Sequence, residues 1–339
     1  AMYWFCTYFD HRYLDRGLVL YETLRRHCRD FRLIVLCLSP ECFDVLGQLA
    51  LPSTIPLRLE DLEAGDAELL RARQNRSLID YYFTLTPSLP LYVLKRFLEI
   101  DLITYIDADI GFFSDPGPIY DEIGGHSIAI VEHRFPPELK YMEKSGIYNV
   151  GWMSIRRDLH GLSCLNWYRE RCNEWCHDRH ENGKFADQKY LDDWPERFEN
   201  VIVLQHKGAD LAPWNLANYT ISENDGKLFV DGQPLIFFHF HVLQHIAGPL
   251  YDAALTRYGI PLPPIVRMKI YVPYIQAWRQ VQREKLHFSC FSKDGIRRED
   301  ATQFVGLQGL FPSLFGALKK GRVALRVLRN GSWVVCGGI

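Results

Sequence analysis

Apolar and polar positions along the first hundred residues fall into blocks of two different periods. Tyr3 to Tyr8 is a continuous apolar and aromatic run of strand length, and Phe31 to Leu38 (FRLIVLCL) is another. Between them, Leu14 to His27 carries apolar residues at helical spacing. The same spacing predicts a helix from Glu41 to Leu51, followed by a short strand near Ile55 to Leu59. Alternation of this kind predicts a parallel sheet with helical crossovers. A helix over Leu91 to Glu99 and a buried strand over Asp101 to Asp109 (DLITYIDAD) continue the rhythm. Further strands are expected at Ser127 to Val131, Tyr148 to Ile155, Val201 to Leu204 and Leu235 to His241. A long helix is expected over Leu159 to His180 and a short one over Ala186 to Trp194. Asn224-Asp225-Gly226 and Asp231-Gly232 are turn signals flanking a small hairpin. Pro261-Leu262-Pro263-Pro264 breaks the pattern, so the expected division is an α/β domain over 1–260 and a helical C-terminal extension over 261–339.

The extension opens with a helix from about Ile265 to Lys285. Its tail places Phe311, Leu314, Phe315 and Leu318 on one helical face, among Lys319, Lys320, Arg322, Arg326 and Arg329. Such a face either lies on an anionic membrane or packs against protein. Trp333 with Val334-Val335-Cys336 has the pattern of a packed strand, which favours packing and leaves room for a homo-oligomer.

Composition narrows the function. The 339 residues are 47% hydrophobic and 24% charged, ample for a large core. A net charge of -2 lacks the basic excess of a nucleic-acid binder, so no nucleic-acid partner is expected. The 9 cysteines are odd in number and scattered, as reduced thiols of a cytoplasmic protein would be. Among them Cys172 and Cys176, with His180, sit four residues apart; a zinc site or a buried helical stripe fits that spacing. No apolar run approaches the ~20 residues of a membrane span, so the expectation is a cytoplasmic protein, at most peripheral at the inner membrane.

Asp107-Ala108-Asp109 is the sharpest chemical signal. Two carboxylates after the buried run Ile103-Thr104-Tyr105-Ile106 can grip one divalent cation where the chain bends past the strand end. Ligands of open α/β sheets bind beyond such carboxyl ends. His239 and His241, two apart at a strand end, share a face, and either could complete a cation's ligands; alone, such a pair is more often two hydrogen-bonded core histidines. Asp187-Gln188 puts a carboxylate and an amide side by side at a helix start, where Asp187 could simply be an N-cap. Asn149-Val150-Gly151 puts an amide beside a glycine that admits close approach of a ligand, or marks only a turn.

Taken together and in order, these segments resemble the retaining nucleotide-sugar glycosyltransferases of the GT-A fold, particularly family 8. The resemblance covers roughly residues 3 to 245. A broader set of bacterial glycosyltransferases is similar through TPSLPLYVL, FADQKYLDDWP and APWNLANY. The resemblance implies a GT-A, Rossmann-like, mainly parallel mixed sheet flanked by helices, with 1–260 as catalytic domain. It implies that Asp107, Asp109 and His239 (alternatively His241) bind Mn²⁺ or Mg²⁺, which holds the donor diphosphate. Thr7 and Tyr8 would contact the nucleoside, and Asn149, Gly151 and Asp187 would line the donor-sugar pocket. Gln188 would lie near the anomeric carbon, so Gln188, Asp187 and Asn149 form the implied catalytic set. The family's terminal motif runs His-x-x-Gly and then a phosphate-binding Lys. Val242 stands here in place of that Gly and Gln244-His245 in place of the Lys, so His245 or His241 inherits part of the phosphate contact. The implied donor is a nucleotide-diphosphate sugar, by default a UDP-hexose, and the acceptor a glycan, a lipid-linked or a small-molecule hydroxyl. A sugar-1-phosphate nucleotidyltransferase would need a Gly-rich phosphate loop after the first strand, which Tyr8-Phe9-Asp10-His11-Arg12 does not supply. A non-catalytic carbohydrate-binding protein of the same fold would bind no cation coupled to nucleotide.

Overall fold

The alternation seen in the sequence builds a seven-stranded sheet. The structure, a computed structural model, describes residues 2–286 and 333–336. The chain forms two compact units, Ala1–His239 and Phe240–Ile339.

In the first unit, β1 (Tyr3–Phe9), α1 (Leu14–His27), β2 (Phe31–Cys37), α2 (Pro40–Leu49) and β3 (Thr54–Arg58) follow one another as parallel crossovers. Short helices α3 (Leu59–Glu63) and α4 (Ala67–Gln74) lead to the long α5 (Leu78–Arg96). Then come β4 (Leu102–Ile106), β5 (Ile110–Phe112), α6 (Gly117–Ile123), β6 (Ile128–Glu132), β7 (Tyr148–Arg156) and α7 (Leu159–Glu174). α8 (Trp194–Arg197), β8 (Val201–Leu204), the ribbon β9 (Ile221–Asn224), β10 (Lys227–Val230) and β11 (Gln233–Pro234), and β12 (Phe237–His239) complete it. The large sheet runs β3-β2-β1-β4-β7-β6-β8. Only β7 is antiparallel to its neighbours β4 and β6; the rest pair in parallel. The expected mixed, mainly parallel sheet is therefore present.

Because the chain moves outward from β1 through β2 to β3 and then returns to place β4 on β1's other side, strand order reverses between β1 and β4. That reversal opens a crevice beyond the carboxyl ends of these two strands.

Strand alternation divides the core. Cys6, Ile34, Ile103, Ile130 and Met153 join Leu85, Leu89, Cys164 and Tyr168 of α5 and α7 in one buried cluster. The opposite face is aromatic: Phe5 meets Phe112 and Trp152 edge-on, and Trp152 stacks on Phe237 with centroids 5.1 Å apart.

Two expectations are corrected here. The helix expected at Leu91 begins at Leu78 and passes through Pro87 and Pro90. Its Ser77 cap accepts from Asp80 N, and every residue from Thr84 to Leu91 is buried. Burial of that whole stretch outweighs the backbone hydrogen bonds the prolines cannot donate. The helix expected to reach His180 stops at Glu174, so Cys172, Cys176 and His180 share no helical face. Cys172 and Cys176 are core residues, whereas His180 faces Ser145 Oγ at 3.3 Å. All eight cysteines among the described residues are free thiols.

In the second unit, β13 (Gln244–Ala247) and β14 (Leu250–Asp252) precede α9 (Pro264–Val266), a π-helical turn at Arg267–Tyr271 and α10 (Val272–Glu284). β14 pairs with β15 (Trp333–Val335), so the expected packed strand at Trp333 forms, with Val334 fully buried. The expected amphipathic stripe from Phe311 to Leu318 lies outside the described residues. Among those residues no helix is long and apolar enough to cross a membrane.

Leu89 sits between the two prolines with no exposed surface. Leu89→Ala should cost about 2–5 kcal/mol in urea unfolding, whereas Leu98→Ala, 68% exposed, should stay within about 0.5 kcal/mol.

Candidate functional site

The acid pair lies at the crevice between β1 and β4. β4 ends at Ile106, and Asp107-Ala108-Asp109 forms the turn into β5. β5 then pairs antiparallel with β12, with Ile110 opposite His239. This register, not the sequence distance of 130 residues (239 minus 109), brings the histidine to the acids. His239 Nε2 is 3.2 Å from Asp109 Oδ1 and 3.7 Å from Asp107 Oδ2. Asp109 and His239 offer ligand atoms within 4.8 Å of each other, close enough to share one ion. His241, the alternative ligand, belongs to the second unit, as does His245, whose Nε2 lies 2.9 Å from Gly248 O.

Each acid also accepts a tyrosine hydroxyl. Tyr105 donates its hydroxyl to Asp107 Oδ1 at 2.9 Å, and Tyr13 donates to Asp109 Oδ2 at 3.2 Å. Burial and the neighbouring Asp109 charge push Asp107 up to about 6, against the lowering effect of His239. Burial pulls the His239 imidazole down, but Asp109, Asp210 and Asp107 outweigh it and hold the ring well above its ordinary range. Without a cation, the protonated imidazole is thus the positive charge that these carboxylates share.

Gly151 makes room for the ring. A Cβ there would stand 2.8 Å from His239 Cε1, 2.9 Å from Nδ1 and 2.4 Å from Asn149 Oδ1. Asn149 is 5% exposed; its Oδ1 accepts from Gly151 N at 2.6 Å and its Nδ2 meets His133 Nε2 at 3.1 Å. The glycine is therefore required by the packing of two site side chains, beyond any approach of a ligand.

A second group lies on the α5 side of the sheet. Tyr8 OH is 3.0 Å from Thr86 Oγ1, and Thr86 also favours the charged form of the buried Asp187 carboxylate. Burial pushes Asp187 up to about 7, and Asp107 adds to the rise. Gln188 Nε2 donates to Ser145 O at 3.2 Å, beside Gly146 (φ +140°), where a Cβ would meet Gln188 Cγ at 2.8 Å. As strand neighbours, Thr7 and Tyr8 project to opposite faces; Thr7 Oγ1 is buried without a hydrogen-bond partner among the described residues.

The structure adds residues that the sequence did not single out. Asp10 is gripped by Arg12 and accepts from Tyr82 OH, at the same ends of β1 and α5. Tyr13, Asp210 and Trp214 surround the acid–histidine group, with the Trp214 ring 5.1 Å from His239 in edge contact. All lie far from the acids in sequence and carry no motif spacing. The one available signal was Trp214 within the APWNLANY stretch.

No protein-family model matches the chain. It is 34% identical over 245 residues to the uncharacterized protein YfnF of Bacillus subtilis, covering 70% of this chain and 80% of that protein. The chain belongs to the YfnF family. Another Bacillus subtilis protein, the uncharacterized YfnD, is 29% identical over 274 residues, covering 80% of this chain and 87% of that protein. Among solved structures, the galactosyltransferase LgtC in complex with donor and acceptor sugar analogs gives a TM-score of 0.48 at 15% identity, over 79% of this chain and all of that one. Mouse xyloside xylosyltransferase 1 gives 0.44 at 13% identity, over 71% of this chain and 98% of that one. The bifunctional glycosyltransferase WbbM gives 0.42 at 15%, and this chain spans only 40% of it. These TM-scores lie below 0.5, too weak a likeness to carry residue roles or an activity across.

The Asp187 carboxyl generates a pH prediction. Its folded pKa of about 7 lies above the ordinary 3.8, so the folded state binds the extra proton between those values. Stability is then full below about pH 4 and falls as pH rises towards 7, by on the order of a few kcal/mol. Asp187→Asn should remove that slope: without added metal, the variant's urea midpoint should gain on the parent's from pH 5 to pH 8. A constant difference across that range would show that Asp187 is not buried in its charged form.

Proposed function

We propose that this YfnF-family protein is a metal-dependent GT-A-type glycosyltransferase. It moves a sugar from a nucleotide-diphosphate donor, a UDP-hexose by default, to an acceptor hydroxyl, with retention at the anomeric carbon. The observation that carries this reading is the meeting of Asp107, Asp109 and His239 in the crevice where strand order reverses. Paired carboxylates with one imidazole suit Mn²⁺ better than Mg²⁺, which prefers oxygen alone. Crowded, partly buried carboxylates are what an added positive charge would relieve.

A divalent cation bound there would stabilise, as a Lewis acid, the charge that develops on the departing diphosphate. This chain's residues would do the rest. Tyr105 and Tyr13 hold the two carboxylates in orientation, so that their remaining oxygens face the ligand. Tyr8 and Thr7 border the nucleoside, Asn149, Gly151 and Asp187 line the sugar pocket, and His245 or His241 meets a phosphate. Gln188 stands near the anomeric carbon; an amide is a poor nucleophile, so no covalent sugar–enzyme link forms through it. The acceptor oxygen bonds to the anomeric carbon on the face the diphosphate leaves, and its proton passes to a diphosphate oxygen. The acceptor is a glycan, a lipid-linked or a small-molecule hydroxyl, met in the cytoplasm or at the inner membrane's surface. In this reading catalysis belongs to 1–260, and 261–339 serves packing, self-association or acceptor contact.

Calorimetric titration of UDP with Mn²⁺ tests the site. Asp109→Ala should abolish coupled binding and donor hydrolysis with the fold intact, and undiminished activity would refute the reading. His239→Ala should weaken Mn²⁺-dependent UDP binding by about tenfold or more, with a smaller loss in His241→Ala; the reverse order would make His241 the ligand.

Gln188→Ala separates chemistry from binding. Turnover should fall far more than UDP affinity, because a contact at the reacting centre acts on the transition state. Loss of UDP affinity with turnover unchanged at saturation would place Gln188 elsewhere.

A further inference from the structure

Asp210 is a fully buried carboxylate. Apart from His239, neither of its oxygens finds a hydrogen-bond donor among the described residues. Among the described residues its ion-pair contact is Oδ1 to His239 Nδ1, 3.5 Å, at the outer limit of hydrogen bonding. A buried carboxylate with so little compensation is costly to hold, and a fold that keeps one generally uses it.

The surrounding backbone aims it. Residues 208–215 run alongside β12: Ile236 N donates to Gly208 O at 2.9 Å and His239 N to Leu211 O at 2.9 Å, with Leu211 bridged to Phe238. Asp210 itself takes a left-handed conformation, φ +58°, which side chains other than glycine adopt at a cost. Asn215 holds that turn closed, donating Nδ2 to Asp210 O at 2.8 Å and His133 O at 3.0 Å while its Oδ1 accepts from Ala212 N at 2.9 Å. On the ring's other edge, Nε2 faces Asp109 and Asp107.

We propose that Asp210 is the positioning residue of His239: it accepts the Nδ1 proton and so fixes the ring with its Nε2 lone pair turned to a cation held by Asp107 and Asp109. The inference rests on the cation reading above. A histidine that ligates through one nitrogen generally donates from the other, and the acceptor both fixes the tautomer and raises the basicity of the ligating atom. Loss of such a partner typically weakens metal binding 10–100-fold. Asp210 touches neither cation nor substrate in this arrangement; it acts through His239.

The test uses the full chain, Mn²⁺ alone and Mn²⁺ with UDP, read by electron paramagnetic resonance. Free-ion signal gives the dissociation constant, and pulsed measurements give the ¹⁴N modulation of a coordinated imidazole. Wild type should bind Mn²⁺ with imidazole modulation. Asp210→Asn, nearly isosteric, should bind at least tenfold more weakly and lose or diminish that modulation, while its thermal midpoint stays level or rises because a buried charge is gone. Should Asp210→Asn fail to fold, Asp210→Ser makes the same measurement with a smaller neutral side chain. A variant that keeps both affinity, within twofold, and modulation overturns the role of Asp210 and leaves the cation site standing. A wild type that binds no Mn²⁺ even with UDP overturns the cation reading and this role with it.

Discussion

Three carboxylates converge on one imidazole at the end of β4, and the rest of the first unit is arranged around holding them there. Asp107 and Asp109 repel each other, and Asp210 is shut away from water altogether. Like charges at such spacing are tolerable only when something positive sits among them. His239, charged, meets that need by itself, and a divalent cation taking the place of its Nε2 proton would meet it more strongly.

The framework that imposes this convergence is backbone pairing. The two-stranded ladder of β5 and β12 fixes His239 against Ile110 to within one residue, because a slip by one would turn the ring to the other side of the strand. Behind the ring, Gly151 on β7 leaves the space that any Cβ would fill, and Trp214 closes its edge. The apolar stack of Trp152 on Phe237 anchors β12 to the large sheet beneath. Hydrophobic packing therefore supplies the rigidity, and the polar groups are carried on elements that cannot shift independently.

Much of this was legible in the chain. The runs Tyr3–Phe9, Phe31–Cys37 and Leu102–Ile106 are too apolar to be anything but buried strands, and the acids follow the last of them at once. His239 was legible because it ends an apolar run of its own. What was not legible depends on contacts that have no local signature. Tyr13 reaches Asp109 across 96 positions, and Asp210 lies in a loop whose only distinction is the backbone turn it makes. The start of α5 was not legible because Pro87 and Pro90 break isolated helices, whereas a helix buried from Thr84 to Leu91 is held by its surroundings. The cysteines at 172 and 176 misled in the opposite sense: periodicity suggested a longer helix than α7, which ends at Glu174.

The site holds two acidic groups with different surroundings, and in the proposed reading the difference separates their roles. Asp107 keeps 34% of its side chain exposed, as a ligand to an exchangeable ion would. Asp187 is nearly sealed, shares Thr86 with Tyr8, and is pushed up to about 7 by burial. A sealed carboxyl, 5% exposed, leaves little room for the other ligands of a dication, so in the proposed reading it suits hydrogen bonding to sugar hydroxyls better. Gln188 beside it is anchored through Nε2 to Ser145 O, so its Oε1 is an acceptor without charge. Charge is thus concentrated on the β4 side of the crevice, where a diphosphate and its ion would sit. The Asp187 side carries a single sealed carboxyl, where an uncharged sugar would be turned and held.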